Sequence, residues 1–188
     1  MVRLLLLLQA TPALPPPPQP QRNVPDSGVI ATTAQVTPAG VQSVFGARVT
    51  GVRFGKRPGE IWVSANWAAY RLDWRDNAML ASARLADRAG VQGVAVDPVT
   101  GRALVSGVGK RFAFDKTGTA LFTWVVGSHM AGGVAVAARA NASGKRVAVV
   151  PLPANDSLAV IDADGGALIK MIPLGVLPVA AAINADGS

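Results

Sequence analysis

The chain of 188 residues lacks cysteine and contains a single histidine, His129. Without cysteine there is neither a disulfide framework nor a thiolate nucleophile, and one histidine excludes a metal site built from several histidines. Aromatic residues make up only 5% of the sequence and charged residues 15%. Because hydrophobic residues still account for 50%, we expect a folded core rather than a disordered chain.

No apolar run approaches the about 20 residues that a membrane-spanning helix needs, so we predict no transmembrane span. A short apolar run at residues 4–8 follows Arg3 and precedes small residues at 10–13, which is typical of an export signal. We therefore predict a signal segment over residues 1–13, a proline-rich linker over 14–28, and export to the periplasm or the exterior. A cytoplasmic protein with a disordered N-terminus is the alternative.

What the sequence does contain is a repeated pattern. Val49–Phe54 recurs at residues 91–96 and 131–136, and more loosely at 179–183. Successive copies lie about forty residues apart, a period that indicates a repeat architecture.

The second copy shows the repeating unit most clearly. Residues 91–96 are predicted to form a buried strand whose glycine allows close approach, and residues 97–101 form a turn rich in turn-favouring types. Further strands are predicted at 102–106, 111–115 and 120–126, with a loop between the second and third strands. Four antiparallel strands per repeat are the unit of a propeller blade. The sequence thus predicts an all-β fold, a partial β-propeller with about three four-stranded blades and the start of a fourth.

The predicted propeller region covers residues 29–188 and is incomplete. Its blades are predicted at about 46–86, 87–127 and 130–175, with the next blade beginning at 176–188. Propellers typically have about 4 to 8 blades, so we expect either additional blades in a larger protein or self-association to close the ring. Residues 41–45 are expected to be an outermost strand that lacks its inner partners.

The third copy also carries a family resemblance. The sequence NDSLAVID at 155–162, followed by IPLG at 172–175 and NADG at 184–187, resembles the YVTN-type propeller repeat. Residues 29–41 are similar to the lead-in of exported YncE-like propeller proteins, some of which continue into an alkaline-phosphatase-like domain. The resemblance implies an exported propeller; no residue matches the phosphatase domain, so that activity is not implied.

The net charge of +7 lies entirely in the first part of the chain. Residues 1–116 contain 14 Lys and Arg against 7 Asp and Glu, whereas residues 117–188 contain 4 of each sign. Dispersed solubilising charge on loops and strand edges is the favoured interpretation. The alternative is a basic surface for nucleic acid or another anionic partner.

Candidate catalytic and metal-binding groups are few. Asp162 and Asp164 resemble the start of a calcium loop, but the glutamate that should follow is replaced by Met171. Ser128 and His129 are adjacent, and no carboxylate is placed to orient the imidazole. We therefore predict no catalytic residue, no metal and no cofactor.

Three tryptophans cluster in the first copy and are expected to pack between blades, with a stacking platform for a sugar or base as the alternative. They are Trp62, Trp67 and Trp74.

Propellers usually bind ligands on the face built from the loops between second and third strands and from the crossovers between blades. The polar residues predicted on this face are Asn66, Lys110, His129, Asn155 and Asp156. Our leading prediction is a non-catalytic exported propeller that binds or scaffolds a partner, either a protein or an anionic polymer. One alternative is the propeller part of a larger phosphoesterase-like or lactonase-like hydrolase whose catalytic residues lie outside this chain. The other is a basic propeller that binds nucleic acid or anionic surfaces.

Overall fold

The computed structural model of the chain describes residues 15–22, 42–115, 117 and 120–187. These residues form thirteen strands in four antiparallel sheets, and the one helical element among them is a 3-10 turn at Pro153–Asn155. The strands are β1 (Gln21–Arg22), β2 (Ser43–Val44), β3 (Val49–Phe54), β4 (Glu60–Ala65), β5 (Ala68–Asp73), β6 (Ala78–Arg84), β7 (Ala89–Val96), β8 (Ala103–Phe114), β9 (Ala120–Met130), β10 (Ala135–Val136), β11 (Val147–Leu152), β12 (Ser157–Asp162) and β13 (Leu168–Pro173). Within this part of the chain, no helix has the length and apolar character to span a bilayer.

Three sheets correspond to the predicted repeats: the first blade (β3 to β6), the second blade (β7 to β9) and the third blade (β10 to β13). In the first and third blades each strand pairs with the next strand along the chain. The tightest reversal joins β4 and β5, which pair as far as Ala65 and Ala68 and leave Asn66 and Trp67 as a two-residue turn. These two sheets have the four-stranded antiparallel order that the sequence predicts.

The second blade differs from its predicted division into strands. The predicted loop at 107–110 is absent, because β8 continues unbroken for 12 residues. Its first half pairs with β7 and its second half with β9. The backbone N–H of Val108 donates to the carbonyl of Arg88 at 3.0 Å, and the carbonyl of Gly107 accepts from Ala131 at 3.4 Å. This pairing with segments on both sides outweighs the local tendency of glycine to form a turn, and the sheet has three strands.

Both faces of a blade are apolar, as β4 illustrates. Successive side chains of a strand point to opposite faces. Trp62 is fully buried toward the second blade, while Val63 is buried on the opposite face with Tyr70 and Leu72. A blade of this kind needs a cover on each side.

The blades cover one another through two apolar clusters. Between the first and second blades the buried residues are Trp62, Ala69, Ala83, Leu85, Ala89, Val94, Ala103 and Val105. Between the second and third blades they are Ala95, Leu104, Ala113, Ala131, Val134, Ala148, Val150, Leu152, Ala159, Ile161 and Ala163. Most are small or β-branched, which allows the sheets to approach closely. Trp62 therefore packs between blades, as the sequence predicts.

Close backbone approach explains two glycines of the repeat. A Cβ atom on Gly93 would lie 2.5 Å from the carbonyl oxygen of Gly90, and one on Gly132 would overlap the carbonyl oxygen of Val179. Backbone atoms cannot yield as a flexible side chain can. The close approach predicted for the glycine of the strand at 91–96 is thus confirmed at Gly93, and Gly132 has a similar constraint.

We expect Gly132→Ala to destabilise the protein by about 1–3 kcal/mol, the usual cost of forcing an extra carbon into a packed site. Gly175→Ala is the matched control, because nothing lies within 4 Å of its Cβ position and its φ is not positive. The control should change stability by no more than about 0.5 kcal/mol. Urea denaturation measures both, and equal stabilities of the two variants would contradict the proposed close contact.

A buried ion pair joins the second and third blades. Asp97, fully buried after β7, accepts hydrogen bonds from both terminal nitrogens of Arg146 at 2.7 and 2.8 Å. The hydroxyl of Thr100 donates to the same carboxylate at 2.7 Å. Arg146 also pairs with the exposed Asp164. The ion pair thus links the turn after β7 in the second blade to the residue before β11 in the third blade.

The ion pair shifts the titration of Asp97. Burial by itself raises the pKa of this carboxyl, but the hydrogen bonds from Arg146, Thr100 and the backbone N–H of Val99 outweigh burial and lower the pKa to about 2. The same pair raises the pKa of the Arg146 guanidinium. Since the folded-state pKa of Asp97 lies below its unfolded value, the stabilisation is complete above the unfolded pKa and is lost as the pH falls toward 2.

Arg146→Leu leaves Asp97 buried without its counter-charge, and we expect a loss of about 3–5 kcal/mol at pH 7. Arg139→Leu, the same change at an exposed arginine of the third blade, should alter stability by about 0.5 kcal/mol or less. The difference in unfolding free energy between Arg146→Leu and wild type should become smaller as the pH falls from about 4 to 2, because protonated Asp97 needs no cation. Denaturation across this range measures the difference; a difference independent of pH would contradict the assignment.

The segments that flank the blades depart in part from expectation. The predicted signal segment at 1–13 lies outside the described residues. Of the predicted linker at 14–28, residues 15–22 are described, and they lie against the first blade. The strand expected at 41–45 is observed as β2, which pairs with β1 rather than standing alone.

Residues 176–187 follow the third blade, where a fourth blade is predicted to begin. They contain no strand, but their backbone lies beside the residues that flank β10. The carbonyl of Val179 accepts from the N–H of Gly133 at 3.2 Å, and that of Ala185 accepts from Arg139 at 2.6 Å. Exposed apolar side chains on this segment are Val176, Leu177 and Val179.

Candidate functional site

A cavity of about 300 Å³ lies between the first and second blades, where the turn from β4 to β5 meets the entries to β3 and β7. The residues that line it are Arg48, Val49, Thr50, Asn66, Arg88, Ala89, Val91 and Val108. This is one of the loop faces that the sequence predicts for ligand binding.

Backbone hydrogen bonds fix the walls of the cavity. The N–H of Asn66 donates to the carbonyl of Arg48 at 3.1 Å, and the carbonyl of Asn66 accepts from the N–H of Ala89 at 2.7 Å. The carbonyl of Arg88 accepts from Val108 at 3.0 Å. The two-residue turn is therefore tied to both neighbouring strand entries, and the lining side chains project from anchored backbone.

The polar side chains of the cavity are mostly hydrogen-bond donors. Arg48 and Arg88 are exposed and Asn66 is half-buried. Within the described part of the chain, none of these three side chains has an ion pair or hydrogen bond to protein. The hydroxyl of Thr50, in contrast, is engaged with the Ser64 carbonyl at 3.2 Å and hydroxyl at 3.0 Å.

The two cations of the cavity differ from the two arginines that neutralise buried carboxylates. Arg71 pairs with buried Glu60 at 2.6 Å, and Arg146 is neutralised by two aspartates. At the cavity, Arg48 and Arg88 add positive charge, and the described residues that line it include no carboxylate. Positive potential therefore remains available to a ligand.

An aromatic ring stands beside this charge. The guanidinium carbon of Arg88 lies 5.5 Å from the centre of the Trp67 ring, which is 45% exposed. Such a cation–π contact limits the orientations of the arginine without neutralising it. Of the three clustered tryptophans, Trp62 packs between blades, whereas Trp67 and Trp74 are exposed.

The chemistry that this arrangement supports is anion recognition. Guanidinium groups present planar pairs of N–H donors that match carboxylate and phosphate oxygens. The half-buried amide of Asn66 adds a further donor near the same space. Among the lining side chains that the structure describes, none is a carboxylate or histidine that could act as a general base.

Of the five predicted site residues, the structure shows one at this cavity. Asn66 lines the cavity. Lys110 and His129 have their backbones in β8 and β9, but their side chains lie outside the described part of the chain. Asn155 and Asp156 lie at the connection from β11 to β12 and do not line this cavity. The ligand-face role of these four stays a prediction.

Asp156 serves the local backbone. It adopts a left-handed conformation with φ of 46°, its carboxylate accepts from the N–H of Leu177 at 2.9 Å, and its carbonyl accepts from Leu174 at 2.7 Å.

Arg48 and Arg88 are not among the residues that the sequence predicts for this face. The excess of positive charge in the first part of the chain indicates a basic surface but does not single out these two residues.

The calcium-like sequence forms a turn. Asp162 accepts from the backbone N–H groups of Asp164 and Gly165 at 2.9 and 3.1 Å, while the Asp164 carboxylate turns to Arg146. These backbone hydrogen bonds lower the pKa of Asp162. In the portion of the chain that the structure covers, no group of three or more potential metal ligands occurs.

No family model and no curated protein matches this sequence, whereas many solved structures share the fold. A protein of unknown function from Bacteroides caccae is 21% identical, with a TM-score of 0.55 over 74% of this chain and 51% of its own. The Cps50 (Swd1) β-propeller domain from Myceliophteria thermophila is 15% identical, with a TM-score of 0.59 over 79% of this chain and 49% of its own. Citrobacter koseri AztD is 18% identical, with a TM-score of 0.57 over 79% and 39%.

The chain has a partial β-propeller fold. The propeller neighbours and the antiparallel sheets agree on this point, and the predicted fold class is confirmed. At these identities the likeness concerns the fold alone. The chain spans about half the length of the first two structures and 39% of AztD. The finer resemblance to YVTN-type repeats stays a prediction.

Proposed function

We propose that this chain is a non-catalytic propeller module that binds an anionic group in the cavity between its first two blades. One observation carries the proposal: Arg48 and Arg88 line one small cavity, and among the described residues neither is neutralised. A pair of uncompensated cations on an anchored loop face is suited to holding a carboxylate or phosphate.

The state of the buried acids supports a binding role over catalysis. Asp97 and Glu60 are both held in ion pairs with arginine, and Asp97 titrates well below the range in which a general base is useful. We also propose that the protein is exported and that its blades are YVTN-type repeats. Only the sequence motifs support these two points. The alternative is that this propeller is part of a larger hydrolase whose catalytic residues lie outside this chain.

The second candidate is binding of a polyanion, such as single-stranded nucleic acid. Trp67 beside Arg88 supports it, because exposed aromatic rings next to cations are a common way to stack bases. The same cavity would then take one phosphate of a longer chain. In both candidates the cavity binds an anionic group. The ligand is a small molecule in the first candidate and a polymer in the second.

The test compares two double variants with the same charge change. Arg48→Ala with Arg88→Ala removes both cations of the cavity, while Arg57→Ala with Arg139→Ala removes two exposed arginines that do not line it. Calorimetry with succinate and inorganic phosphate reports small anions; retention on heparin and binding of a labelled single-stranded oligonucleotide report polyanions. We expect the cavity variant to weaken binding by about tenfold or more, as expected for loss of charged hydrogen bonds, and the control to bind nearly as wild type.

The outcomes separate the candidates. Saturable binding of a small anion that depends on the cavity arginines supports the first, and cavity-dependent binding of polyanions alone supports the second. Polyanion binding should also weaken steeply with added salt. If neither class binds, or if both double variants behave alike, the cavity is not the anion site.

A further inference from the structure

The proline-rich segment at residues 15–22 lies against the first blade in a defined way. Pro17 and Pro20 are buried, whereas Pro15, Pro16 and Pro18 are exposed. Consecutive prolines favour the polyproline II conformation, which has three residues per turn and would place positions 17 and 20 on the same side. This periodic burial is typical of a bound proline-rich ligand that presents one face to its site.

Asn77 is the centre of the contact. Its side-chain amide donates to the carbonyl of Pro20 at 2.7 Å, and its amide oxygen accepts from the hydroxyl of Ser43 at 2.7 Å. The backbone carbonyl of Asn77 accepts from the side chain of Gln19 at 2.8 Å. A polyproline II segment has no internal hydrogen bonds, so the carbonyls of the proline-rich segment are available to donors such as the Asn77 amide.

The conformation of Asn77 fits this role. It is a buried residue just before β6 and adopts a left-handed φ of 62°, which asparagine tolerates better than most residues. The turn thereby directs a buried amide at the proline-rich segment. Both polar ends of the side chain are satisfied by residues from the N-terminal part of the chain, and none by its own turn.

Arginines hold the two ends of the segment. At one end Arg84 donates to the carbonyl of Pro15 at 2.5 Å. At the other, Arg22 donates to the carbonyls of Trp74 and, at 2.7 Å, Arg75. The order of these contacts runs opposite to the direction of β6, so the segment lies antiparallel along the outermost strand of the first blade.

We propose that the outer edge of the first blade is a binding site for a proline-rich sequence, and that residues 15–22 are its resident ligand rather than a spacer. Recognition uses the side of the polyproline II helix formed by Pro17 and Pro20, the amide of Asn77 and a glutamine between these prolines. When the resident segment is released, the site accepts the same sequence supplied in trans. This inference is independent of the anion cavity.

The first test measures trypsin cleavage after Arg22 in the full chain. While Arg22 donates to the first blade, it cannot enter the protease, so cleavage requires local release of the segment. Asn77→Asp keeps the size of the side chain but replaces the donor to Pro20 with a carboxylate oxygen. We expect cleavage after Arg22 to be about tenfold faster. The substitution removes a buried hydrogen bond and leaves the carbonyl of Pro20 facing a carboxylate oxygen, which cannot donate to it.

Asn141→Asp is the matched control, because Asn141 accepts hydrogen bonds in its turn through its side-chain oxygen, which the change retains. Cleavage after buried Arg71 reports global unfolding in the same digest. A selective rise after Arg22 in Asn77→Asp supports the proposal. Equal rates in all three proteins, or an equal rise after Arg71, would overturn it.

The second test supplies the ligand in trans. In the full chain, Gln19→Ala with Arg22→Ala loosens the resident segment and leaves the blade intact. A labelled peptide with the sequence of residues 15–22 should bind this variant, and adding Asn77→Asp should weaken the binding at least about tenfold, in line with the loss of the central hydrogen bond.

Two altered peptides check the recognised side of the helix. Alanine at the positions of Pro17 and Pro20 should abolish binding, whereas alanine at the exposed Pro16 and Pro18 should largely preserve it. If the two altered peptides bind equally well, or if the unaltered peptide does not bind, the site does not recognise a proline-rich ligand.

Discussion

Face-to-face packing of small antiparallel sheets is the constraint on which the rest of this structure depends. A four-stranded sheet with apolar residues on both faces cannot cover itself, so its stability comes from its neighbours. Trp62 and Val63, adjacent in sequence and buried on opposite faces, show this in one strand. The requirement for close approach explains why glycine occurs where a Cβ would collide with backbone, as at Gly132.

Charge is distributed around this apolar stack according to its surroundings. Where a carboxylate is buried between blades, as Asp97 is, an arginine of the next blade neutralises it, because an unpaired buried charge is strongly destabilising. At the rim of the first two blades, exposed Arg48 and Arg88 carry no such partner among the described residues. Buried charges thus stabilise the stack, and the exposed pair is available for an external ligand.

Much of the architecture could be read from local patterns. Alternating apolar residues and turn-forming types predict strands and reversals, and their recurrence predicts blades of the same order. The second blade departs from this scheme because the local preference at Gly107 is overridden: the neighbouring residue Val108 pairs with Arg88, and Gly107 itself accepts from Ala131. A turn signal is a local preference of modest energy, whereas strand pairing combines many hydrogen bonds.

The candidate sites were predictable only in part, for the same reason. Asn66 could be anticipated, because it lies in a loop whose position follows from the strand order. Asn77 could not, because its importance depends on a proline-rich segment more than fifty residues earlier in the chain, which its amide contacts.

The sequence by itself determined that this protein is a stack of antiparallel blades, since strand periodicity, turns and repeat length are short-range properties of the chain. Only the tertiary structure decided which charges face one cavity and that residues 15–22 lie on the first blade. Those features arise from contacts between residues far apart in sequence, and such contacts leave no regular pattern in a single chain.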